Sequence, residues 1–185
     1  IVGGQQVLRA ERCALEAGAR VNNEIALALF DAGLRAGAYS KDDLDAQFAL
    51  MEHWPFKQHL HIAVRMADER AGSIGESRGM WWFRAMGIPA PEPQFEVRNA
   101  AGVLLGIVDW WWAKYGLLGE FDGRIKYGRL LKPGQDPGDV VFEEKRREDL
   151  LREETGCAML RLIWSDYSRP QDIHTRFNRL VGRAS

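Results

Sequence analysis

Three prolines at alternate positions, Pro89, Pro91 and Pro93, follow Gly87 and forbid any helix from running through this stretch. They mark a change in the character of the chain. Before them, Ser73-Ile-Gly-Glu76 opens a helix carrying Met80, Trp81, Trp82, Phe83 and Met86, which ends at Gly87. After them, Gln94 to Arg98 alternates apolar and polar residues, and Asn99 to Gly102 has turn chemistry. Val103 to Trp112 reads as a second strand and Leu117 to Phe121 as a third, closed by Asp122-Gly123. A polar loop with Gly134, Pro137 and Gly138 leads to a charged helix over 139–155, which Gly156 stops. An apolar strand over Ala158–Trp164 and a helix over Pro170–Val181 complete the order. Short turns predict antiparallel pairing of the first three strands, and the helix before the last strand predicts a crossover. The expected class is α/β (α+β).

Residues 1–72 carry helical signals and no strand signal. The spacing predicts a helix over 24–36 with Ile25, Leu29 and Ala32 on one face and Leu27 and Phe30 beside it. Ser40 caps a second helix whose first turn holds Asp42 and Asp43. Pro55 at a first helical turn predicts a third, over Pro55–Glu69. The domains expected are therefore a helical region over 1–72 and a second domain over 73–185.

Of the 185 residues, 46% are apolar and 28% charged, which excludes a disordered chain, and the formal net charge of -1 gives no global nucleic-acid signature. A nuclease need not be basic, because its metal neutralises part of the substrate charge. Cys13 and Cys157 are far apart and outside any CxxC pair, so a zinc site or disulfide framework is not expected and a cytoplasmic protein is. No run approaches the ~18–20 apolar residues of a membrane helix, and no signal or transit peptide is visible. The chain starts at Ile1 without methionine, which suggests a fragment or processed product.

The chemistry centres on two acids. Asp109 lies within Gly106-Ile-Val-Asp-Trp-Trp-Trp112, where an unpaired carboxylate is costly. Glu120 falls on the next strand, and adjacent antiparallel strands bring such positions side by side. Carboxylates held close repel unless a proton or cation lies between them. Mg²⁺ (or Mn²⁺) suits this geometry, and Asp122 shares the strand parity of Glu120 and would join the metal ligands. The bland alternative makes Asp109 a strand-end cap or arginine partner, and Glu120 and Asp122 turn residues. Glu76 matches a capping box with Ser73, and Lys126 reads either as a loop lysine or as a cation beside a metal-bound water. Arg124, Lys126, Arg129 and Lys132 form a basic cluster able to track phosphates; Lys145 and Arg146, in the charged helix, read as nucleic-acid contacts or as a solvated face. Alternation puts Trp110 and Trp112 in the core and Trp111 on the Asp109 face. His53, His59, His61 and His174 make no metal-ligand pattern, and there is no nucleophile elbow or P-loop.

Glu76-Ser-Arg, Gly87-Ile-Pro-Ala-Pro-Glu-Pro-Gln94, Val108-Asp109, Glu120-Phe-Asp-Gly123, Arg146-Arg-Glu-Asp-Leu150 and Leu160-Arg-Leu162 together resemble the endonuclease-like domains related to the very-short-patch (Vsr) repair nuclease. These belong to the PD-(D/E)XK superfamily, and the resemblance spans roughly residues 73–182. The helical first half is similar to the middle region of actinobacterial proteins that join such a domain to an upstream AbiEi-type antitoxin segment. The resemblance implies a restriction-endonuclease-like αβββαβ core and a divalent-metal DNA phosphodiesterase. Asp109 would be the central metal ligand, Glu120 the second acid, and Glu76 the acid of the first helix. Two departures stand out. Asp122 occupies the place where the superfamily often has lysine, and Lys126-Tyr127 stands where many relatives have histidine. The alternative is a non-catalytic regulator of the antitoxin kind, in which the domain supports a homodimer or binds a partner.

Overall fold

The computed structural model describes residues 7–99, 101–123, 151 and 153–184. The chain divides into two compact units, Ile1–Trp82 and Phe83–Ser185. The division falls inside a helix rather than at Gly72, where the composition changes.

The first unit is helical. Its elements are α1 (Ala10–Gly18), α2 (Asn23–Arg35), α3 (Lys41–Leu50), a 3₁₀ turn at Gln58–Leu60, α4 (His61–Met66) and the start of α5 (Ile74–Ala85). Asn22 caps α2 by accepting the Ile25 N–H. Ser40 and Asp43 form a reciprocal capping box on α3, which satisfies two otherwise orphaned donors. The expected face of α2 is corrected. Ala26, Leu27, Phe30 and Leu34 line the core, whereas Ile25 and Leu29 are exposed. Tyr39 fixes that orientation: a Cβ at Gly33 would collide with its ring, and its hydroxyl donates to the Phe30 carbonyl at 3.2 Å. The helix expected over Pro55–Glu69 is also shorter than read. Phe56 has φ 66°, a left-handed conformation that no helix accommodates, so Pro55 opens a turn and α4 begins only at His61. Lys57, buried behind this turn, donates to the Phe48 carbonyl at 2.5 Å and so satisfies the C-terminal end of α3.

The second unit is built on a four-stranded mixed sheet, so the fold is α+β. Strands β1 (Glu92–Arg98), β2 (Leu104–Trp112), β3 (Leu117–Asp122) and β4 (Ala158–Ile163) lie in the order β1-β2-β3-β4. The first three are antiparallel neighbours and β4 is parallel to β3. Pro93, which lacks an N–H, sits in edge strand β1, where a ladder tolerates it. Leu105 is an extra residue in β2 between Gly106, opposite Val97, and Leu104, opposite Arg98. Residues 153–155 are helical ahead of β4, and the rest of the expected helix over 139–155, apart from Leu151, lies outside the described residues. A 3₁₀ turn (Trp164–Ser168) and α6 (Pro170–Ala184) follow β4.

Alternation along β2 is as expected. Trp110 and Trp112 are buried and Trp111 is half-buried. Phe83 meets Trp110 and Trp112 edge-on at 4.9 and 5.0 Å, and Phe177 of α6 meets Trp112 at 5.4 Å. Gly119 of β3 lies under both indoles, in the space a side chain would need. Val97, Val108, Leu118, Leu151 and Met159 form a smaller core against which Phe95, Leu105 and Trp111 pack. Asp166 ties β4 to α6: it accepts the Ile163 N–H at 2.8 Å and takes both Arg176 terminal nitrogens at 3.2 Å. No described helix is long and apolar enough to cross a membrane.

Candidate active site

The site is a row of four polar residues, one from each strand. The β3–β4 register sets Glu120 beside Arg161. The β2–β3 register pairs Trp110 with Gly119, and one further step sets Asp109 opposite Glu120. The β1–β2 register pairs Pro93 with Trp110 and Phe95 with Val108, so Gln94 falls opposite Asp109. Gln94, Asp109, Glu120 and Arg161 thus cross the sheet in line.

The regular β2–β3 pairing stops at Trp110 and Gly119, where the two acids would face each other. Like charges directly opposite on neighbouring strands destabilise a ladder. The carboxylate of Asp109 takes over the backbone's role there: its Oδ2 accepts the Phe121 N–H at 2.7 Å. On the other side, Gln94 Nε2 donates to Asp109 Oδ1 at 3.3 Å. Glu120 is 8% exposed, and Arg161 reaches its Oε2 at 3.5 Å.

The structure therefore brings Asp109 and Glu120 onto neighbouring strands, as the sequence spacing predicts. Asp122 is half-buried at the end of β3, and among the described residues no three of His, Cys, Asp and Glu gather into a metal cage. Glu76 belongs to the first unit. Its side chain accepts the Gly72 N–H at 2.8 Å, and its own N–H reaches Ser73 Oγ at 3.2 Å, which gives it a capping role at the start of α5. Lys126, Arg124, Arg129, Lys132, Lys145 and Arg146 lie outside the described residues.

Sequence reasoning missed Gln94 and Arg161 as members of this constellation. The signal for Gln94 was its place in an apolar-polar strand just past the prolines. Arg161 is the single charge within the apolar run of β4.

The donor set offers a divalent cation two carboxylates, Asp109 and Glu120. Two hard carboxylate groups suit Mg²⁺ or Mn²⁺, which commonly use one or two protein acids and take further oxygens from water and substrate phosphate. Comparison of the chain with protein-family models, curated proteins and solved structures finds no match.

Proposed function

We propose that the second unit is a divalent-cation-dependent phosphodiesterase domain with a restriction-endonuclease-like core, acting on DNA. The observation that carries the reading is the cross-sheet row, with two acids central and a neutral and a cationic partner outside them. The element order supports it: a helix precedes three antiparallel strands, and a fourth strand returns parallel to the third.

In this reading Asp109 and Glu120 hold the cation. When bound, the cation supplies an acidified water and positive charge for the phosphate. Asp109 is oriented by the Phe121 N–H and the Gln94 amide. Arg161 balances the charge of Glu120, so the pair is not left with two uncompensated negative charges in a half-buried place. Indole Trp111, half-buried two residues from Asp109, supplies an apolar flank. Hydrolysis consumes one water and leaves a phosphate monoester and a hydroxyl.

A second reading is a regulator of the antitoxin kind, in which the same unit binds a partner without cleavage. The contacts of Arg161 with Glu120 and of Phe121 with Asp109 favour it, because they give both acids a protein partner without a cation. Calorimetric titration with Mn²⁺ separates the two. Saturable binding by the wild type, lost in Asp109→Asn, supports the phosphodiesterase. A wild type that gives no binding heat overturns it and leaves the regulator.

A further inference from the structure

We infer that Gln94 is a positioning residue for the Asp109 carboxylate, an inference that rests on the reading of Asp109 and Glu120 as a cation-holding pair. Gln94 lies inside β1, yet its φ is 51°. That is the left-handed region, where Cβ crowds the following carbonyl and where glycine is the ordinary occupant. A glutamine held there, in a strand, is a local conflict that the surrounding contacts must outweigh.

The conflict has a geometric result. In a regular strand, successive side chains point to opposite faces. Gln94 stands opposite Asp109 and Phe95 opposite Val108. The Gln94 amide reaches Asp109 Oδ1 at 3.3 Å, and the Phe95 ring stacks on Trp111 at 5.3 Å with planes 18° apart. Asp109 and Trp111 are two residues apart, where β2 alternates between buried and half-buried positions. The left-handed residue therefore stands where β1 makes two contacts with β2, its own amide on the acid and the next ring on Trp111.

The effect on Asp109 is to fix its rotation. One oxygen accepts the Gln94 amide and the other accepts the Phe121 N–H at 2.7 Å. Beside a carboxylate, the amide nitrogen of glutamine is the group that must face it, since the carboxylate only accepts. A carboxylate already held in one orientation loses little freedom on taking a cation, which is how preorganisation raises affinity. Outer partners of this kind typically change metal affinity by about 10–100-fold when removed.

Gln94→Gly provides the test, because glycine accepts the left-handed backbone and removes the side chain with its amide. The expected result is an unfolding temperature equal to or above that of the wild type, with Mn²⁺ affinity reduced about 10–100-fold in calorimetric titration. Gln94→Ala keeps the unfavourable backbone without the amide, and should lose the same affinity with a lower unfolding temperature. Equal Mn²⁺ affinity in wild type and Gln94→Gly overturns the positioning role while the acid pair stands. Loss of affinity that merely accompanies a collapsed unfolding temperature in Gln94→Gly also counts against it. A wild type that binds no Mn²⁺ overturns both this inference and the reading beneath it.

Discussion

Gly119→Ala would strain the centre of the sheet beside the acid pair. A Cβ at Gly119 would stand 2.9 Å from Trp112 Cζ3, 3.1 Å from Trp110 Cε3 and 3.2 Å from Trp110 Cβ. Neither indole has room to retreat. Trp112 Nε1 donates to the Pro89 carbonyl at 2.6 Å, and its ring is boxed by Phe83 and Phe177. Trp110 is fully buried against Phe83. Forcing an extra methyl into such packing costs about 1–3 kcal/mol. Alanine also restricts the unfolded chain, which offsets about 0.4–1 kcal/mol of that. Mid-range values of the two give a net loss of about 1.3 kcal/mol, equivalent to a fall of roughly 5–10 °C in Tm for a unit of this size. Thermal unfolding followed by near-ultraviolet circular dichroism reads these tryptophans directly. A Tm unchanged or raised in Gly119→Ala would refute the packing argument.

Two further predictions concern buried charge. Burial pushes the Asp31 carboxyl up to about 6, against the hydrogen bonds from Ser77 and the Asp68 N–H that pull it down. The folded state therefore holds this proton more tightly than the unfolded chain, for which the ordinary value is 3.8. Its contribution is greatest below that value and is lost as pH rises through about 6, a decline on the order of 3 kcal/mol. Urea unfolding of the wild type across this range should show the decline, and Asp31→Asn should flatten it; equal slopes in the two proteins would contradict the assignment. Arg176→Met leaves Asp166, 9% exposed, without its guanidinium and removes the donor to the Arg161 carbonyl. The expected loss is about 1–3 kcal/mol of stability, read as a lowered urea midpoint at unchanged m, and an unchanged midpoint would show that the tie between β4 and α6 contributes nothing.

The strand meander was legible because its signals are local. The prolines, the turn at Asn99 to Gly102 and the burial alternation of Trp110, Trp111 and Trp112 all act within a few residues. The facing of Asp109 and Glu120 followed from one tight connection between two strands. Gln94 was not legible as their neighbour, and Leu105 explains why. Counting back from the turn, with Arg98 opposite Leu104, sets Gln94 opposite Val108; the extra residue shifts the register and brings it opposite Asp109. Arg161 reaches Glu120 through a parallel pairing across a long crossover, which no local pattern encodes. In the first unit, α2 is apolar around much of its circumference, so periodicity alone did not choose between the Ile25–Leu29 face and the Phe30–Leu34 face. Tyr39, packed on Gly33, made that choice through a tertiary contact.

Plasmid nicking in the presence of Mn²⁺, with wild type and Asp109→Asn side by side, tests the central claim most directly. Asparagine keeps an oxygen for the Phe121 N–H, so the fold is expected to survive the change. The account predicts nicking by the wild type, suppressed by chelator, and its loss in Asp109→Asn at an unchanged unfolding temperature. Equal nicking by the two proteins, or none by the wild type, would contradict it.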